Sequence, residues 1–144
     1  MFDISHIDFD PHTTRVALIA GGTSGEREIS LNSREGAKGA LEQAGYEITC
    51  FDPAEREDMQ ALIEGNFDVA FLCLHGKGGE DGAIQGFCET INLPYTGPGI
   101  WSSATAIDKA KTKVFYEKAG IRTPEAVELT IGQNMSMESI LSKV

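Results

Sequence analysis

Arg15-Val-Ala-Leu-Ile-Ala-Gly-Gly-Thr-Ser-Gly-Glu-Arg-Glu-Ile-Ser30 decides the fold. After its first residue, the Arg15 to Ala20 run is apolar without a break, and Gly21-Gly22 ends it, as expected of a buried strand. From Glu28 to Ala44, small or apolar residues return at helical spacing: Ile29, Ser33, Ala37, Ala40, Leu41 and Ala44. Gly45 then supplies the stop. A buried strand, a glycine turn and an amphipathic helix, in that order, open a strand–helix–strand unit.

The pattern continues outward. Ile48 to Phe51 reads as a second strand, broken by Asp52-Pro53, and Met59 to Ile63 as a short helix closed near Gly65. Phe67 to Leu74 is apolar after Asp68, which suits a central parallel strand covered on both faces. The glycine-rich loop His75 to Gly82 follows, then a helix from Ala83 to Ile91. Leu93 to Gly99 is too proline-rich for more than a short strand and a turn. Ile100 to Ala119 reads as helix with a break near Asp108, Glu125 to Leu129 as another strand, and Met135 to Val144 as a last helix. Residues Met1 to Thr14 form a polar leader without a sustained period.

This alternation indicates an α/β fold: an open, mostly parallel sheet flanked by helices. Ligands of such sheets gather beyond the carboxyl ends of the strands. The loops Gly21–Ser30 and His75–Gly82 both leave strand ends, so they are expected to be neighbours.

Composition bounds the function. A chain of 144 residues fits one compact core and can bury roughly 70% of its unfolded surface, so it needs no disulfide or metal staple. With 41% apolar and 24% charged residues, it is neither disordered nor fibrous. Twelve basic against 22 acidic residues give a net charge of −10, which argues against nucleic acid and anionic membranes as partners. A small anion remains possible, because it needs only a local cradle. Cys50, Cys73 and Cys88 are an odd set without a CxxC pair, and buried reduced thiols in a reducing compartment fit. The first residues lack a basic and then apolar segment, and the longest apolar run, Val69 to Leu74, is too short to span a bilayer. A cytoplasmic location is the expectation.

Three motifs carry chemistry, and each has a plainer alternative. Gly21-Gly-Thr-Ser-Gly-Glu26 offers close backbone approach and a helix N-terminus, with Glu26 as a fixed negative charge for a substrate ammonium. Thr23-x-x-Glu26 also fits a simple capping box, and on local pattern that reading leads. His75, at the end of an apolar strand, can donate to an anionic or carbonyl oxygen; lone loop histidines are more often incidental, but the surrounding glycines make a functional loop the better reading. Lys109, Lys111, Lys113, Lys118 and Arg122 form a basic island in an acidic chain. That island is either a phosphate site or, more commonly for a lysine run, a solvated helix face balanced by Glu117. His6, Asp8 and His12 lack a stable element to fix metal geometry, so no metal site is assigned.

Taken in order, Gly21–Ser33, Leu74–Gly86 (with its HGxxGEDGxxQG pattern), Leu93–Gly99 and Ile107–Lys113 resemble the D-alanine–D-alanine ligases, ATP-grasp enzymes of peptidoglycan synthesis. The resemblance runs from about Val16 to Leu129. It implies a Rossmann-like, pre-ATP-grasp N-terminal domain over residues 15–123, with 1–14 a leader and 124–144 the start of a central ATP-grasp domain.

The resemblance also implies a reaction. ATP phosphorylates the carboxylate of a first D-alanine, and the amine of a second attacks the acyl phosphate, with Mg2+ or Mn2+ offsetting phosphate charge. Glu26 and His75 would be the catalytic pair at the first D-alanine, with Ile29 and Ser30 as further substrate contacts and Lys109 on the ATP phosphates. A homodimer is implied as well. Such ligases are about twice as long as this chain, and their metal ligands lie in later segments, so the chain alone is expected not to turn over. The rival expectation is a stand-alone D-amino-acid-binding or dimerisation module without catalysis, and a non-catalytic phosphate binder stands behind it.

Overall fold

The computed structural model describes residues 9–129, 132 and 136–142. They group into two compact units, one ending at Ile107 and the other starting at Asp108. This division falls at the helix break foreseen near Asp108, earlier than the 123/124 boundary suggested by the resemblance.

The first unit is built on β1 (Arg15–Ile19), α1 (Arg27–Gln43), β2 (Glu47–Phe51), α2 (Arg56–Glu64), β3 (Val69–Leu72), α3 (Ala83–Thr90) and α4 (Ile100–Ala106). The strands form a parallel sheet in the order β2-β1-β3. Ile19 pairs with Phe51 on one side and with Leu72 on the other, so all three strands end at one level. Beyond β3, Ala70 makes a single parallel bridge to Tyr95.

The sequence of β1 explains its place. Successive side chains of a strand point to opposite faces. Ala17 and Ile19 enter one core with Phe51, Leu62, Ala70, Ile84 and Cys88, beneath α2 and α3. Leu18 and Ala20 enter a second core with Cys73, against which Ala37 of α1 and Ile48 of β2 pack. A strand covered on both faces has no room for a polar side chain, and Val16 to Ala20 carries none.

Some expectations are corrected. The Phe67–Leu74 run does lie between two parallel neighbours, β1 and the Tyr95 bridge, but its strand is shortened to four residues, and β1 lies between β2 and β3. Single bonds to β1 continue past both ends: the Asp68 amide donates to Arg15 O and its carboxylate accepts from the Arg15 amide at 2.7 Å, while the Cys73 amide donates to Ile19 O at 2.8 Å. Glu125–Leu129 forms no strand. A strand needs a partner ladder to satisfy its backbone, and none is present for this segment among the described residues.

The helical stripe of α1 is also rotated from expectation. Ser30, Ala37 and Leu41 turn inward, whereas Ala40 and Ala44 are exposed and Ile29 is 57% exposed. In the leader, Asp10 organises a turn through the amides of His12, Thr13 and Thr14, and Tyr46 donates to Phe9 O. His6 and Asp8 lie outside the described residues.

The second unit contains α5 (Lys109–Lys118) and α6 (Met137–Leu141), capped by the side chains of Asp108 and Ser136. No helix among the described residues is long and apolar enough to cross a membrane.

Leu62, on α2, is 2% exposed at the centre of the larger core. Leu62→Ala is expected to destabilise the chain by about 2–5 kcal/mol, the usual cost of a buried leucine cavity. Urea denaturation monitored by circular dichroism would measure it, and a loss below about 0.5 kcal/mol would contradict this packing.

Candidate functional site

The β1–α1 turn and the β3–α3 loop meet beyond the carboxyl end of the sheet, and one buried hydroxyl joins them. Ser30, fully buried in the first turn of α1, accepts from the Gly21 amide at 2.8 Å and donates to Cys73 O at 2.7 Å. Ser24 makes the second link, donating to His75 O at 2.8 Å while accepting from the Glu26 amide at 3.1 Å. The third runs from the loop to α1: His75 Nε2 lies 3.1 Å from Ser33 Oγ. Ser33 has one hydroxyl proton, and its bond to Ile29 O at 3.0 Å uses it. His75 Nε2 is then the protonated ring nitrogen, leaving Nδ1 as the acceptor in the neutral ring.

Glu26 projects across this junction. Gly76 has a φ of +68°, which favours glycine, and a Cβ there would stand 2.5 Å from Glu26 Oε2. The loop therefore needs glycine twice over, for its backbone and to admit the carboxylate. No donor reaches the Glu26 carboxylate among the described residues. A small cavity of about 70 Å3 opens between the two loops, lined by Gly21, Gly22, Thr23, Leu74, His75 and Lys77 among others.

Two acids of the β3–α3 loop are engaged within it. Glu80 accepts from the Gly76 amide at 2.7 Å, and Asp81 from Gly78 at 2.8 Å and Ala83 at 3.1 Å. Gln85 donates to Gly79 O from a buried position, and its own Oε1 has no partner. These side chains brace the loop from within. No group of three His, Cys, Asp or Glu side chains suited to a metal occurs among the described residues.

The turn has its own brace. Asp52, at the end of β2, accepts from the Gly22 and Ala54 amides at 2.8 and 2.9 Å and pairs with Arg27 Nη2 at 2.7 Å. Arg27 Nη1 also donates to Gly22 O at 2.8 Å. Burial alone would push the Asp52 carboxyl up, but the Arg27 bond and the two amides outweigh it and hold it below the usual carboxylate value.

The capping box does not form: α1 begins at Arg27, with Glu26 at its N-cap and no side-chain cap bond. Ile29 is exposed next to the junction, whereas Ser30 is shut away from solvent with its hydroxyl spent on two backbone partners. Its position favours bracing over substrate contact. Burial pushes the Cys88 thiol up to about 11 and raises that of Cys73, so neither is a nucleophile at neutral pH.

Lys109 belongs to the second unit, exposed at the start of α5. Its neighbours are occupied there: Lys111 pairs with Asp108 at 2.9 Å, and Lys113 donates to Thr123 Oγ1 and Pro124 O.

Sequence reasoning missed Ser24, Ser33, Arg27 and Asp52. Asp52-Pro53 read only as a strand breaker, and no local pattern reveals a partner 25 residues away in the chain, from Arg27 to Asp52.

Residues 52–98 match the family model described as D-ala D-ala ligase N-terminus. The D-alanine–D-alanine ligase of Aromatoleum aromaticum is 48% identical over 110 residues, which cover 76% of this chain and 35% of that protein. The chain belongs to the D-alanine–D-alanine ligase family. That of Carboxydothermus hydrogenoformans is 42% identical over 130 residues, 90% of this chain and 41% of that protein. Among solved structures, the D-alanine–D-alanine ligase of Bacillus anthracis complexed with ATP superposes with a TM-score of 0.78 at 32% identity, over 90% of this chain and 44% of that one. The chain thus spans about two fifths of the length of the ligases it matches, and it corresponds to their N-terminal part.

Two predictions test the junction. Ser30→Ala leaves the Gly21 amide and the Cys73 carbonyl buried without their partner, and is expected to cost about 1–3 kcal/mol in urea denaturation. A neutral result would contradict the bridge. Because the folded carboxyl of Asp52 titrates below its unfolded value, its contribution to stability is present above the unfolded value, near 3.8, and is lost as pH falls through the lower folded one. Asp52→Asn should therefore remove part of the acid-side loss of stability, visible as a smaller drop in melting temperature between neutral and acid pH.

Proposed function

We propose that this chain carries the first-D-alanine pocket of an ATP-dependent D-alanine–D-alanine ligase acting in peptidoglycan synthesis. One observation carries the reading. Asp52, Glu80 and Asp81 are engaged by backbone donors, while the carboxylate of Glu26 reaches over Gly76 and meets no donor among the described residues. A carboxylate without a donor, at a junction of two loops that also holds a small cavity, is suited to a substrate ammonium.

The amino group of the first D-alanine pairs with Glu26. His75, its Nε2–H tied to Ser33, sits beside the same amino acid, where Nδ1 can accept from its ammonium. Ile29 offers an exposed apolar surface for the methyl group, and Ser30 holds the turn beneath them. Phosphoryl transfer from ATP to that carboxylate forms an acyl phosphate and releases ADP. The amine of the second D-alanine then attacks the carbonyl carbon, phosphate leaves, and the amine gives up a proton. Lys109 answers to the ATP phosphates in this scheme as a compact cation. Mg2+ or Mn2+ would offset phosphate charge, but the described residues offer no ligand set for it. Pairing of two copies, a cytoplasmic location, and residues 124–144 as the start of a central domain belong to the same reading. The curated relatives are ligases, which favours this over a free-standing binding module.

Titration of the isotopically labelled chain with D-alanine is expected to move the amide signals of Glu26, Ile29 and His75 saturably. L-alanine should move them far less, and Glu26→Gln should abolish the response. Equal responses to both enantiomers, or full retention in the variant, would overturn the proposal.

A further inference from the structure

We infer that Arg27 and Asp52 are a positioning pair that sets Glu26 over Gly76. The inference rests on the reading of Glu26 as the ammonium anchor, and it concerns what holds that carboxylate in place.

Glu26 precedes Arg27 in the chain, and the two side chains do opposite work. Glu26 reaches forward across Gly76. Arg27 reaches back, and its guanidinium spans two groups at once, Gly22 O at 2.8 Å and Asp52 Oδ2 at 2.7 Å. Asp52 closes the ring through Oδ1, which accepts from the Gly22 amide at 2.8 Å. Both backbone groups of Gly22 are therefore held by one ion pair, so the turn is pinned at its middle as well as at its buried foot, where Ser30 holds the Gly21 amide.

The carboxylate is fixed in its turn. It accepts from the Ala54 amide, and the Asp52 amide donates to Asp58 Oδ2 at 2.8 Å, which ties the end of β2 to α2. A side chain added at Gly21, where φ is +96°, would collide with the Asp52 carboxylate, so the two approach as closely as the backbone permits. Through this pair, the sheet dictates where α1 starts, and hence where the residue before its first turn points.

The planar fork of arginine is essential to the arrangement. A lysine supplies one point charge and cannot hold a carbonyl and a carboxylate in fixed relative geometry. The pair is also only partly screened, with the Asp52 side chain 11% exposed and that of Arg27 35% exposed.

The test uses the 144-residue chain and two kinds of readout. In the wild type, a nuclear Overhauser contact between the Glu26 side chain and the Gly76 α-protons reports the placement without any ligand. Arg27→Met and Asp52→Asn are each expected to lose that contact and to shift the Gly22, Glu26 and Gly76 amides. D-alanine affinity should weaken about tenfold, the scale of one charged hydrogen bond. Arg27→Lys should recover the charge but not the contact, and the double variant should be no worse than either single one. Arg34→Met serves as the control, because Arg34 pairs with its neighbour Glu35 on the same helix and touches neither loop; it should change nothing at Gly76.

Survival of the Glu26–Gly76 contact in folded Arg27→Met and Asp52→Asn would overturn the inference. So would full recovery by Arg27→Lys, or an equal effect from Arg34→Met. If the wild type shows the contact but binds no D-alanine, the proposed function fails while the positioning role is still decided by the contact alone.

Discussion

A single serine hydroxyl lets this sheet end become a site. Parallel strands that finish at one level leave backbone groups without ladder partners, and a buried amide or carbonyl left that way is costly. Ser30 answers two of them together, the Gly21 amide after β1 and the Cys73 carbonyl after β3. It does so from the first turn of α1, so strand end, helix start and neighbouring strand end are fixed by one atom. The placement of Glu26, Ile29 and His75 depends on this, because each sits within a few residues of one of the tied points.

The engagement of charge around that point follows a simple division. Acids whose oxygens meet backbone amides shape the loops: Asp52 for the first, Glu80 and Asp81 for the second. Such bonds lower the carboxyl pKa, as seen for Asp52 and Asp81, and keep these groups ionised and committed. Glu26 stands apart because glycine at position 76 clears its path and no donor of the described chain meets its carboxylate.

Much of this was legible in the sequence, and the reasons are physical. The alternation of apolar runs with helical stripes reports burial, which dominates folding, so the order of strands and helices and the meeting of the two loops were readable. The chain order could not tell that β1 lies between β2 and β3, because strand order is set by how the crossover helices pack and not by any one strand's composition. Glu125–Leu129 failed as a strand for a related reason: its composition suits pairing, but pairing requires a neighbour. At the site, Glu26 and His75 stood out because glycines frame them. Ser30 was read as a substrate contact, yet it faces inward, since a serine in a first helical turn can equally serve ligand or backbone and only burial separates the two.

The Arg27–Asp52 pair marks where local reading ends. Helix propensity gives Arg27 no reason to turn back, and a charged residue in a first turn reads as solvated. What turns it is the Gly22 carbonyl, exposed by the positive φ of Gly21 and Gly22, together with the carboxylate that β2 delivers beside it. The glycines that make the turn possible thus create the acceptor that the arginine then fixes. A turn this permissive has many conformations open to it, and the ion pair selects one of them. Glycine frequency and clamp belong to one device: the first permits a conformation that other residues resist, and the second removes the freedom that came with the permission.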